Sequence, residues 1–354
     1  MSEVCRWSAE REIEAAEIVA AALGMAVPVL LAGISGSGDP APGLAAAMGG
    51  LAVSHVEIAG GFPAYLRGRA KALAPAILAA PLAVLCAGHG WLTDAALVLL
   101  VGIAATVGGI SRAMAVATTR FILFLMIVSA TATPTKALGA KEAAGFLTLV
   151  ASGAIWTSAL SFALGAVVRW HRGMNVSASE SQPIPALRQK YARWRRSLAS
   201  FAGWSYPIRL VTGIAVAAAI DLCWPDHHLH WIGLTVAILT QRQVEPVPVK
   251  MTQRALGTAI GVAVATLTLR WGLPSWALAV VVGILAGARP LLRIRNYLAY
   301  SAVVTPLIVL IIDAGHAPDS GLLLDRLLAT LVGAALVVGT NLLVMRLSAS
   351  KDKL

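Results

Sequence analysis

Val249-Lys250-Met251-Thr252-Gln253-Arg254-Ala255-Leu256-Gly257-Thr258-Ala259-Ile260-Gly261 places two cations four residues apart and then runs uncharged as far as Arg270. A spacing of four puts Lys250 and Arg254 on one helix face, at the mouth of a segment otherwise suited to lipid. The same basic pair stands 183 residues earlier as Arg67 and Lys71. Duplicated cations at the entrance of apolar helices suggest an anion path.

The rest of the chain agrees with a membrane setting. Of its 354 residues 58% are hydrophobic and 13% charged, against roughly 45–50% apolar and 25% charged in soluble domains. Uninterrupted apolar stretches of helical length recur, and the alternating ten-residue segments of a barrel do not. The class is therefore an all-α integral membrane protein. The first apolar stretch follows Glu10, Glu12, Glu14 and Glu17 rather than a basic region, and no small-residue cleavage site follows it, so the first helix is expected to be retained. Cys5, Cys86 and Cys223 show no CxxC spacing and read as small packing residues.

Hydropathy with Gly, Pro and charge punctuation predicts about twelve helices. They lie near 16–34, 42–59, 69–87, 91–110, 117–135 and 143–168, then 206–223, 229–242, 251–270, 274–289, 296–313 and 322–346. The stretch 229–242 is too short for a comfortable crossing and predicts a broken helix. With the N-terminus in the cytoplasm, only Lys136, Lys141, Arg270 and Arg326 of the 28 Lys and Arg fall outside. That asymmetry orients the chain with both termini cytoplasmic in the inner membrane. It also accounts for the net charge of +11 by contact with anionic lipid rather than nucleic acid.

Three segments follow: residues 1–170 as a first six-helix block, 171–205 as a basic cytoplasmic linker, and 206–354 as a second six-helix block. The linker carries Arg188, Lys190, Arg193, Arg195 and Arg196 with Tyr191 and Trp194. It reads equally as an amphipathic surface helix or as a plain tether. The blocks share punctuation. Gly50-Leu51-Ala52-Val53 meets Gly233-Leu234-Thr235-Val236, Pro63 meets Pro246, and Lys71-Ala72-Leu73 meets Arg254-Ala255-Leu256. Farther on Val101-Gly102-Ile103 meets Val282-Gly283-Ile284, and Arg112 meets Arg293. An even number of spans per block makes the two repeats parallel rather than inverted.

His230-Trp231-Ile232-Gly233-Leu234-Thr235-Val236, followed by Lys250-x3-Arg254-x2-Gly257-Thr258-x2-Gly261, resembles the fusaric acid resistance-like, or aromatic acid exporter, family. Plant aluminium-activated malate transporters carry a similar element. The motif covers about thirty residues, and the likeness extends loosely over 206–346 and more weakly over 16–168. The resemblance implies a cytoplasmic-membrane protein exporting organic, often aromatic, carboxylates on the proton gradient. It carries over to Trp231, Thr235, Lys250, Arg254, Gly257 and Thr258. The first block departs from it, with Ala74-Pro75 where the second has Gly257-Thr258. Larger exporters of this type have a substantial soluble domain where this chain has its linker.

Arg254 can hold a carboxylate with two parallel hydrogen bonds, and Lys250 offers a point charge. The anion path is thus expected to use Arg254, Lys250, Arg67, Lys71, Thr235, Arg293 and Arg112. Gly257, Thr258 and Gly261, with Trp231, are expected to serve packing. The bland alternative makes every cation an interfacial anchor. Proton coupling would want an intramembrane carboxylate or histidine, and Glu57, His55 and Glu245 are the candidates. Asp226-His227-His228-x-His230 resembles a metal cluster, but two histidines are adjacent and no fourth ligand follows, so it reads as interfacial. Trp7, Trp91, Trp170, Trp204 and Trp271 read as belt residues.

No phosphate loop, nucleophile elbow or His-Glu-x2-His stands in the chain, so no enzyme, cofactor or metal is expected. The expectation is secondary active, proton-coupled efflux of small organic carboxylates. A passive anion channel and a non-transporting scaffold are the alternatives. The partners are the organic anion and lipid. The need for a periplasmic adaptor subunit, and whether the chain forms a homo-oligomer, stay open.

Overall fold

The computed structural model describes residues 15–35, 38–53, 62–131, 140–172, 187–224, 227, 229–242, 248–313 and 322–351. Among them stand thirteen α-helices and no strand. In chain order they are α1 (Ala15–Ile34), α2 (Ala41–Val53), α3 (Phe62–Cys86), α4 (Trp91–Val107), α5 (Arg112–Thr131) and α6 (Ala140–Arg172). Then come α7 (Leu187–Leu198), α8 (Phe201–Cys223), α9 (Trp231–Leu239), α10 (Pro248–Arg270), α11 (Ser275–Arg295), α12 (Tyr297–Asp313) and α13 (Leu322–Lys351). Within the described residues each apolar stretch read from the sequence forms a helix, and α7 is the amphipathic alternative for the linker.

Among the described residues eight helices are long and apolar enough to cross a membrane. The others fall short for visible reasons. Helices α2 and α12 are short apolar helices, and α10 is diluted by Thr252, Gln253, Arg254 and Arg270. Helix α9 has nine residues, about 14 Å at 1.5 Å per residue, where the hydrocarbon core needs about 30 Å. Two starts also differ. Helix α3 begins at Phe62, so Arg67 lies inside it instead of flanking it, and Lys71 lies deeper than expected. Helix α8 begins at Phe201, five residues before the expected start, which places Arg209 two turns into the helix.

The chain packs as two compact units, each drawing on both sides of the linker. The first comprises residues 1–74, 139–179 and 248–323. In it α1 lies on α11, α2 on α6 and α10 on α12. Helices in lipid gain little from excluding apolar side chains, so close packing of small residues holds them together. A Cβ on Gly283 would stand 3.0 Å from Ala26 Cβ, and one on Gly287 3.2 Å from Ala22 Cβ. Pro28 lacks an N–H and so frees the Gly24 carbonyl one turn back. Thr157 Oγ1 of α6 donates to that carbonyl at 3.2 Å.

The seam between α2 and α6 is tighter still: a Cβ on Gly153 would fall 1.8 Å from the Ala46 carbonyl oxygen, and one on Gly49 1.8 Å from that of Val150. Both obstacles are backbone, which cannot swing aside. Gly153→Ala is therefore expected to lower stability by about 1–3 kcal/mol. Thermal unfolding of the detergent-purified protein measures this, and an unchanged midpoint would show that the seam can part at no cost.

The second unit comprises residues 75–138, 180–247 and 324–354. Here α4 lies on α8, α8 on α9, and α5 on both α4 and α9. The same neighbours recur in the first unit, where α11 lies on α1, α1 on α2, and α12 on both α11 and α2. A three-residue 3-10 turn, Gly108–Ile110, separates α4 from α5. Ser111 Oγ accepts from the Met114 N–H at 3.2 Å to start α5, much as Asn296 Oδ1 accepts from the Ala299 N–H at 3.0 Å to start α12. Helix α7 docks through Trp194, whose indole N–H donates to the Thr106 carbonyl at 3.0 Å.

Exposed tryptophans mark helix ends: Trp91 opens α4, Trp170 lies near the end of α6, Trp224 follows α8 and Trp271 follows α10. That placement suits aromatic belts. Trp7 lies outside the described residues. Cys86 and Cys223 are free thiols, Cys223 exposed rather than packed.

Candidate functional site

Arg254, Gly257, Thr258 and Gly261 share one face of α10, at i, i+3, i+4 and i+7. That face lies against α12. A Cβ on Gly257 would stand 2.6 Å from the Leu298 carbonyl oxygen, and one on Gly261 2.7 Å from Pro306 Cδ and 3.0 Å from the Ala302 carbonyl oxygen. Pro306 cannot donate to Ala302, so α12 carries a freed carbonyl opposite Gly261. Both glycines thus stand where α10 and α12 come close. Gly257→Ala is expected to force the helices apart and weaken the fold by about 1–3 kcal/mol, read as a fall in melting temperature. An equal melting temperature would place the contact elsewhere.

This seam also holds polar groups. Arg254 is 6% exposed, and Thr258 and Thr305 are buried. Arg254 Nε, Thr258 Oγ1 and Thr305 Oγ1 have no hydrogen-bond partner, although most buried polar atoms in folded proteins do. Ser301 Oγ donates to the Arg254 carbonyl at 3.4 Å and ties α12 to α10. On α11, Arg289 is buried with Nε and Nη2 unpartnered. Its charged or ionisable neighbours are Tyr300, Arg293 and Glu17.

The second unit holds its own buried cations. Arg209 is 0% exposed. Its Nη1 donates to Asn341 Oδ1 at 2.6 Å, its Nη2 to the carbonyls of Gln241 and Arg242 at 3.0 and 3.3 Å, and its Nε to the Ser205 carbonyl at 3.1 Å. Arg209 therefore clamps the chain just past the C-terminal end of α9, where carbonyls lack helical partners. Arg242 lies over the Tyr206 ring at 4.3 Å and donates to Thr118 Oγ1 and the Ala105 carbonyl, both at 3.3 Å. Gly108 leaves the room for it, since a Cβ there would stand 1.8 Å from Arg242 Nη2. At the other end of α9, Arg326 is 3% exposed and stacks 3.6 Å above Trp231.

The expected site residues divide accordingly. Arg254, Gly257, Thr258 and Gly261 come together on α10. Thr235 is buried on α9, where Gly333 of α13 packs against it, and Trp231 is buried under Arg326. Arg67, Lys71, Arg112 and Arg293 are exposed. Lys250 lies in the first turn of α10, and its side chain is outside the description. His55, Glu57 and Glu245 lie outside the described residues. No described group of three or more His, Cys, Asp or Glu could hold a metal ion.

Sequence reading passed over Arg209, Arg242, Arg289 and Arg326, which it placed at helix ends or in the linker. An arginine inside an apolar helical stretch is the signal that could have found them, and Pro207-Ile208-Arg209-Leu210 carries it.

Apolar helices with buried arginines on their packed faces define a multi-pass helical membrane protein. Residues 212–339 match the fusaric acid resistance protein-like family, the family that the Trp231 and Arg254 motif resembles. The match takes in α9 to α12, with about half of α8 and more than half of α13, and it indicates a membrane transport role. No curated protein and no solved structure matches the chain at significant similarity.

Proposed function

We propose that this protein is a secondary active exporter of small organic carboxylates, aromatic ones included, driven by the proton gradient across the cytoplasmic membrane. The observation that carries the reading is the seam between α10 and α12. It presents a guanidinium Nε and two threonine hydroxyls, all buried and unpartnered, which is a donor set suited to a carboxylate. A guanidinium there offsets part of the cost of stripping water from the anion. Occupancy requires α10 and α12 to loosen, as alternating access would have them do. The positive-inside count supports cytoplasmic termini. The matching order of neighbours in the two units supports two parallel repeats, with the shorter α2, α9, α10 and α12 completing twelve membrane elements.

Purified protein in liposomes tests the reading. Under a pH gradient, labelled hydroxybenzoate should cross faster than in empty vesicles, and collapsing the gradient should abolish the difference. Voltage-driven current that needs no proton gradient would favour a passive channel. No flux with any carboxylate in a broad panel would overturn transport.

A further inference from the structure

We propose that His227 and Asp325 form the proton-binding site of this transporter, His227 as the solvent-facing entry and Asp325 as the buried acceptor. The assignment rests on the proton-coupled reading above. His227 Nδ1 stands 3.0 Å from Asp325 Oδ1, and the two side chains are 55% and 9% exposed. One partner faces water and the other is enclosed, as a relay requires. Asp325 is the only buried acidic residue among the described residues, and it opens a candidate membrane span. Imidazole is the side-chain group best suited to taking up and releasing a proton near neutral pH.

The surroundings tie this pair to α9. Arg326 follows Asp325 on α13 and stacks on Trp231, the first residue of α9. Helix α9 is the half-length one. The titratable and charged groups on the elements meeting here are Asp221 in the last turn of α8, His227 and His230 in the connection to α9, and Asp325 and Arg326 on α13. Asp226 and His228 flank His227 in sequence. His230 lies 5.5 Å from the Trp231 ring.

The transfer balances simply. An external acid gives a proton to His227 Nε2, and the ring passes its Nδ1 proton to Asp325 Oδ1. The imidazole ends neutral and the carboxylate becomes a carboxylic acid. Arg326 then loses the negative charge beside it on α13, and the stacked guanidinium transmits that change to the start of α9. Proton occupancy and the posture of α9 become linked. The histidine cluster thereby gains a role that neither metal binding nor interfacial anchoring gives it.

The test uses the full chain in liposomes with labelled hydroxybenzoate, in two modes. Asp325→Asn and His227→Gln are expected to keep exchange of labelled for unlabelled hydroxybenzoate without a gradient. Each should lose the acceleration that a pH gradient gives the wild type. Asp325→Glu keeps a carboxyl and should restore that acceleration; it also serves where Asp325→Asn does not fold. Wild-type gradient dependence in both Asp325→Asn and His227→Gln would overturn the site.

A second readout separates this assignment from the transport reading. Trp231 stacks under Arg326, which follows Asp325 on α13, so tryptophan fluorescence of the purified protein should change with pH in a way that both variants lose. If the wild type moves no carboxylate yet shows this difference, the transport reading fails and proton binding stands. Identical titrations in wild type and variants would overturn proton binding itself.

Discussion

Arg209→Ala is expected to destabilise the protein by about 3 kcal/mol or more. The side chain is wholly buried and joins three distant parts of the second unit: α8 that bears it, Asn341 of α13, and the carbonyls of Gln241 and Arg242 beyond α9. Truncation opens a cavity and strands several acceptors at once. An unsatisfied buried acceptor costs about 1–3 kcal/mol. Arg209→Lys supplies charge without the planar fork and should recover only part of the loss. Thermal unfolding in detergent gives the measurement. A double-mutant cycle with Asn341→Ala isolates the shared term, because Asn341→Ala should cost little once Arg209 is gone. A melting temperature for Arg209→Ala equal to wild type would refute the clamp.

Arg254→Ala should behave in the opposite way. Its Nε has no partner in the seam, so removing the guanidinium relieves a buried, unsatisfied donor and should leave the melting temperature level or raise it. Transport of hydroxybenzoate should fall by about tenfold to a hundredfold, the equivalent of one charged hydrogen bond of about 1.5–3 kcal/mol. Arg254→Lys keeps the charge but not the two-pronged geometry and should be intermediate. Initial flux and melting temperature measured on the same preparation decide the matter. Lower stability with unchanged flux would make Arg254 a structural residue like Arg209. The contrast separates two roles that burial alone does not distinguish.

Much of this was readable from residue order because membrane helices advertise themselves through length and apolarity. Each helix announced by an apolar stretch formed, and the small residues at 257 and 261 were legible as contact points. Span count was harder. A cation or a run of threonines reduces how apolar a helix is without preventing it from forming, which is why α10 exists but falls short as an apolar span. The buried arginines were hidden for another reason. Arg209 sits near a linker rich in cations, and nothing local separates it from them; its partner Asn341 is 132 residues away. His227 likewise finds Asp325 across 98 residues. Histidines judged only against their neighbours look interfacial, since a buried carboxylate on α13 is visible only once the chain has folded.

The units interleaved along the chain bear on how the protein is made. The first unit needs α1 and α2 from the beginning of the chain and α10 to α12 from far down it. During synthesis its opening helices must therefore enter the membrane and wait, with the Gly283 and Gly287 partners of α1 still on the ribosome. Loop closure over so long a separation makes this assembly slow relative to local helix pairing. Neither half of the polypeptide can mature first, so a cut in the linker should give two fragments that gain native packing only when they are co-expressed.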